Sequence, residues 1–218
     1  MFSFQRLVIF LLFVCLFSML TSAQTRSGKF GIGLGADGTE LLGISPNAIM
    51  SYDAGLNAFY SITEGVGLRS SMGMGQLGWK SPVTKQNLST NMMYDNLYVS
   101  ADFMPNSSLN PFVMAGVGIV MYDPTDSIGH RIQDKTKYSS IDLHYILGGG
   151  CDYFINEFWS VTVKGEYVMT NAWHYYGAGP SGKDNNFLRV GLEVRYYFFD
   201  QSFITKMLEA VKNRFKKN

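Results

Sequence analysis

Residues 30–38 read FGIGLGADG, and Gly33, Gly35 and Gly38 within them fit the G-x-G-x-x-G spacing of a dinucleotide-binding turn. Such a turn needs a buried strand before it, a helix after it and an acidic residue about 20 positions on, all in one βαβ unit. Here the glycines alternate with Phe30, Ile32, Leu34 and Ala36 at a period of two, while the following Glu40-Leu41-Leu42-Gly43 runs into Ser45-Pro46 with no helical signature. The stretch is a strand. With 23 glycines in the chain, three at this spacing are incidental.

The same period recurs seven times further on. Met50, Tyr52, Ala54, Leu56 and Ala58 alternate with Ser51, Asp53, Gly55 and Asn57; Val66, Leu68, Met72 and Met74 with Gly67, Arg69, Ser71 and Gly73; Leu97, Val99 and Ala101 with Asn96, Tyr98, Ser100 and Asp102. In the second half, Val113, Val117 and Ile119 oppose Gly116 and Gly118; Ile141, Leu143 and Leu147 oppose Asp142, His144 and Gly148; Trp159, Val161 and Val163 oppose Ser160, Lys164 and Glu166; and Leu188, Leu192 and Val194 oppose Arg189, Glu193 and Arg195. Eight alternating strands with no helix between them define an all-β chain.

The connections separate a membrane barrel from a soluble β-sandwich. Segments 61–64, 105–110 and 154–157 are tight, whereas 37–47, 80–93, 123–138 and 172–186 are long and polar, and the two kinds alternate strictly. Outer-membrane barrels carry short periplasmic turns and longer outer loops in this order, and a sandwich has no reason to keep it. Aromatics gather near strand ends: Phe30, Tyr60, Phe103, Phe112, Trp159, Tyr196 and Phe198 toward the tight turns, and Trp79, Tyr94, Tyr122 and Trp173 toward the long loops. Of these, Phe30, Tyr60, Trp79, Tyr122, Trp159, Trp173, Tyr196 and Phe198 are expected to mark the two membrane interfaces, with lipid as the partner of the band between them.

The chain opens with MFSFQRLVIFLLFVCLFSMLTSAQ, a single basic residue before an apolar run that ends in Thr21-Ser22-Ala23. This predicts a signal peptide over 1–23, with the barrel over 24–198; a retained anchor is the alternative, though the run is short for a span of about 20 residues. Without Arg6, 17 basic residues face 17 acidic ones, so nucleic-acid binding has no electrostatic support. Cys151 would then be the sole cysteine, and no His, Cys or acid cluster has metal-ligand spacing, so neither a disulfide framework nor a cofactor is expected. Only 16% of residues are charged, against about 25% in ordinary soluble domains.

Asn110-Pro111-Phe112-Val113-Met114-Ala115-Gly116-Val117-Gly118 resembles the P-[FY]-x-x-x-G-x-G strand of the OmpA/OmpX-like eight-stranded outer-membrane barrel superfamily, and VGLEVRYYF, 190–198, is similar to its closing strand. The resemblance implies an eight-stranded antiparallel up-and-down transmembrane β-barrel in the cell outer membrane. It implies little about function, because that superfamily includes anchors, adhesins, host-defence proteins and enzymes. Such chains usually stop at the terminal Phe, whereas this one continues over 199–218. At 100° per residue, Phe203, Met207, Leu208, Val211 and Phe215 in that tail share an arc opposite Lys206 and Lys212, predicting an amphipathic helix that rests on the membrane interface or on a periplasmic partner.

Eight strands make a barrel so narrow that side chains fill it. The inward charges Arg69, Lys164, Arg189 and Arg195, with Asp53, Asp102, Asp142, Asp152, Glu166 and Glu193, are therefore expected to pair into a plug, with His144 beside Asp142; an ion path is the alternative. Glycines 31, 33 and 35 would make room for those side chains. Function then falls to the loops. Ala172-Trp-His-Tyr-Tyr-Gly-Ala-Gly-Pro exposes aromatics suited to a protein or glycan ligand, while a subunit of an envelope secretion or assembly complex is the alternative. Ser127 with His130 or His174 would imitate the Ser and His of lipid A acyltransferase and deacylase barrels, but no local motif supports it, and no catalytic residue is assigned.

Overall fold

The computed structural model describes residues 29–42, 48–80, 85–123, 141–170 and 186–199. They form β1 (Phe30–Leu41), β2 (Ala48–Ile49), β3 (Ser51–Ser61), β4 (Val66–Lys80), β5 (Asn87–Asp102), β6 (Leu109–Tyr122), β7 (Ile141–Phe154), β8 (Trp159–Thr170) and β9 (Phe187–Phe199). The two residues of β2 continue the line of β3 and pair with the top of β4, so nine strands make eight staves. Every neighbouring pair is antiparallel, and β1 pairs with β9 while β4 pairs with β5, which closes the sheet. Among the described residues there is no helix; the helix expected from Phe203, Met207, Leu208, Val211 and Phe215 lies outside them, as do 1–28.

Paired residues trace the stagger of the barrel. From Met92 the hydrogen-bond lines pass through Gly75, Asp53, Asp37, Gly191, Lys164, Gly150 and Phe112 and return to β5 at Asp102, ten positions along from 92 to 102. A shear of this size with eight staves tilts the strands by about 35–45° and leaves an interior that side chains can fill. At the tight end, Asn156 Oδ1 accepts from the backbone N–H groups of Phe158 and Trp159, both at 2.9 Å, which fixes the β7–β8 turn. Met104 N–H donates to Asn110 Oδ1 at 3.1 Å between β5 and β6.

The strands run further toward the long connections than expected. β1 continues to Leu41 through 37–41, and β4 and β5 extend to Lys80 and back from Asn87, so the expected loop over 80–93 shrinks to 81–86. The alternation persists there with its polarity inverted: Leu41, Leu77, Trp79 and Met92 are buried inside, while Glu40, Gln76 and Asn91 face out. Above the bilayer the outer face meets water and the interior needs an apolar core, so the pattern changes sign without changing period.

Candidate functional site

Inward-facing residues place the charges of seven strands in one closed interior. Toward the tight turns, Arg69 on β4 lies 2.9 Å from Asp152 on β7 and 3.6 Å from Asp102 on β5. Its guanidinium sits over the Phe112 ring, 3.6 Å from the centroid. Arg195 reaches Glu193 at 2.9 Å and Asp152 at 3.7 Å, and donates to the Tyr197 hydroxyl at 2.9 Å. Higher up, Arg189 bridges Asp53 at 3.2 Å and Glu166 at 3.1 Å, and Lys164 bridges Asp37 at 3.3 Å and Glu166 at 3.0 Å. Each of the four cations thus contacts two carboxylates.

Removing such charges from water is expensive, so the surplus acceptors must be satisfied by neutral donors. The Thr162 hydroxyl donates to Asp152 at 2.6 Å, Thr39 and Tyr94 donate to Asp53 at 2.8 and 2.7 Å, and Tyr98 donates to Glu166 at 3.3 Å. Asp142 and His144 also face the lumen but stand outside the ion pairs. Asp142 accepts from Thr170 at 2.6 Å, and His144 Nε2 lies 2.7 Å from Asn96 Oδ1. Above this network an apolar layer of Leu41, Leu77, Met92, Val120, Ile146 and Phe187 closes the outer mouth.

The glycines of the opening stretch serve that packing. A Cβ on Gly33 would stand 2.9 Å from Glu193 Oε1, so only glycine lets β1 lie beside the Glu193–Arg195 pair.

The interface aromatics divide. Trp159, Tyr196 and Phe198 are exposed on the outer face near the tight turns, with Trp159 and Tyr196 ring centroids 5.0 Å apart, and Phe30 packs edge-on against Phe198 at 5.2 Å. Tyr60 is half-buried. Trp79 and Tyr122 are corrections: both are buried inside, at 1% and 6% exposure, and so are Tyr94 and Phe112. Closeness to a strand end suggested an interface position, but parity with inward Gly75 and Leu77 puts Trp79 in the lumen. Trp173, Ser127, His130 and His174 lie outside the described residues. Asp37, at the start of the connection expected over 37–47, instead belongs to β1 and to the network, and the alternation that continues from Gly33 and Gly35 is its signal.

Outside, Leu34, Leu56, Val99, Val117, Leu147 and Leu192 belong to an aliphatic face that rings the barrel, half or more of each side chain exposed except Val117 at 46%. A closed antiparallel barrel with a polar interior and an apolar exterior is a transmembrane β-barrel, since closure satisfies every strand's backbone within the hydrocarbon. The family model described as outer membrane protein beta-barrel domain matches residues 9–198, and the chain belongs to this family, which places it in the outer membrane. Its fold is similar to that of Neisserial surface protein A, at 16% identity over 78% of this chain and 97% of that one, with a TM-score of 0.54. Ail of Yersinia pestis, at 15% identity over 79% and 99% of the two chains with a TM-score of 0.48, and the E. coli outer membrane protein W, at 16% over 80% and 100% with 0.48, are further matches. No curated protein matches the sequence.

Proposed function

We propose that the protein is a non-conducting outer-membrane scaffold that presents its long outer loops to a protein or glycan ligand. The observation that carries this reading is the doubly bridged state of all four lumen cations, which fills the path an ion would need. With the interior occupied, the surfaces left for recognition are the outer loops, whose sequence at 172–180 is rich in aromatics and glycine. Among the described residues the hydroxyls that stand beside carboxylates, Thr162 at Asp152 and Thr170 at Asp142, point into the filled lumen and serve its network.

The test is an exchange of 124–140 and 172–185 for short glycine–serine connections. The barrel is expected to assemble and migrate as a folded species on unheated gels, while attachment of the cells to matrix proteins and glycans is lost. Lipid A profiles are expected to be identical with and without the gene. A profile that changes overturns the scaffold reading in favour of an enzyme.

A further inference from the structure

The outer face is uniform except on one side. On β5, Asp95 points outward with Met93 and Leu97 beside it, Met72 directly across on β4 and Ile119 across on β6. Its carboxylate has no hydrogen-bond or ion-pair partner among the described residues. Asp95 stands seven residues above Asp102 at the tight-turn end, and about ten residues of strand at this tilt cross the roughly 25 Å apolar band, so the carboxylate lies within it. An ionisable group facing lipid is costly and calls for a partner.

A donor lies at the same depth two strands away. From Asp95 the hydrogen-bond lines lead through Met72 to Leu56 on β3, and the shear lowers this line by about two to three residues over the two steps. Tyr52, four residues above Leu56 on β3, therefore stands level with Asp95 to within about two residues. With 73% exposure it is the most exposed of the large hydrophobic side chains among the described residues. Between the two on β4 lies Met74, 64% exposed, at the same level. Tyr52, Met74 and Asp95 thus form a horizontal row across three adjacent strands: a donor, a soft apolar centre and an acceptor.

We infer that this row is the interface of a homodimer whose two-fold axis runs along the membrane normal over Met74. A two-fold preserves depth and exchanges the flanks, so each Tyr52 hydroxyl meets the Asp95 carboxylate of the second copy, and the same contact is made twice. Met74 packs against its symmetry mate on the axis, where a flexible thioether adapts to a crossing of tilted strands. A second copy fits better than lipid because acyl chains offer Asp95 no donor at that depth. The opposite stave, β8, carries Val161, Val163 and Tyr167 outward and no unpaired charge.

The test uses full-length protein in native outer membranes, in a Cys15→Ala, Cys151→Ser background. Met74→Cys is expected to give a disulfide-linked dimer on mild oxidation, and Val163→Cys, diametrically across the barrel, is expected to stay monomeric. Adding Tyr52→Phe should lower the dimer association constant about a hundredfold, roughly tenfold for each of the two hydrogen bonds to a charged acceptor that are lost. Altered migration on unheated gels identifies folded barrels in every variant. Absence of the Met74→Cys dimer, equal yield at Val163→Cys, or a yield that Tyr52→Phe leaves unchanged overturns the inference. The loop exchange described above is independent of all three outcomes.

Discussion

Arg69 on β4 and Asp152 on β7 meet at 2.9 Å across the lumen, although they belong to strands that do not pair and lie 83 residues apart. The contact ties together walls three staves apart, which the strand ladder cannot do. Both side chains are buried, and Asp152 also holds Thr162 and faces Arg195.

Breaking that pair from one side leaves each buried charge only its longer contact, Arg69 with Asp102 at 3.6 Å or Asp152 with Arg195 at 3.7 Å. Asp152→Ala is expected to cost about 3–5 kcal/mol of unfolding free energy, and Arg69→Met a similar amount. The double variant should cost clearly less than the sum, because each single change already takes from the other residue its shortest ion pair. Urea unfolding of the barrel in lipid vesicles, followed by tryptophan fluorescence, gives the cycle; additive costs would mean that the two residues are not coupled.

The register of β9 gives a second expectation. Val194 is 47% exposed on the lipid face and its neighbour Glu193 is 4% exposed in the lumen. Val194→Arg places a cation in the hydrocarbon, at about 2–4 kcal/mol near the midplane, and should reduce the yield of folded barrel. Val194→Leu should be silent. Unheated gels report both, and full yield for the arginine variant would require the strand to be shifted by one residue.

Two tryptophans report on opposite faces. Trp79 is 1% exposed inside the barrel, whereas Trp159 is 44% exposed on the outer face. In single-tryptophan variants reconstituted with brominated lipids, Trp159 fluorescence should be strongly quenched and Trp79 only weakly. Equal quenching would return Trp79 to the lipid interface.

Trp79 also marks where the sequence stops being readable by composition. In the membrane band, apolar-out alternation identifies each strand and each face, and the placement of Asp53, Arg69, Lys164, Glu166, Arg189, Glu193 and Arg195 on one face follows from period two alone. Above the band the outside turns polar and the inside apolar. Segments such as 37–41 and 87–93 then resemble loops by composition although their parity is unbroken, which hid Asp37 from the network and put Trp79 and Tyr122 on the wrong face. The partner of each cation was not legible either, because a pair such as Arg69–Asp152 depends on shear, and shear is fixed by registers across all eight staves.

The last expectation concerns glycine, whose role differs between two positions of the same barrel. Gly118 on β6 faces the lumen where Asn96 and His144 meet, and a Cβ there would stand 2.6 Å from His144 Nε2 and overlap Asn96 Oδ1. Gly165 on β8 has nothing within 4 Å of the corresponding position. Gly118→Ala must displace one of two buried polar side chains and open their 2.7 Å contact, so a loss of about 1–3 kcal/mol is expected, as for other overpacked interiors. Gly165→Ala is expected to fall within about 0.5 kcal/mol of the parent, since it touches no neighbour. If glycine were present in these strands for backbone freedom alone, the two substitutions would shift the urea midpoint alike. A large loss at Gly118 with none at Gly165 would instead identify the lumen glycines as space held open for the polar network.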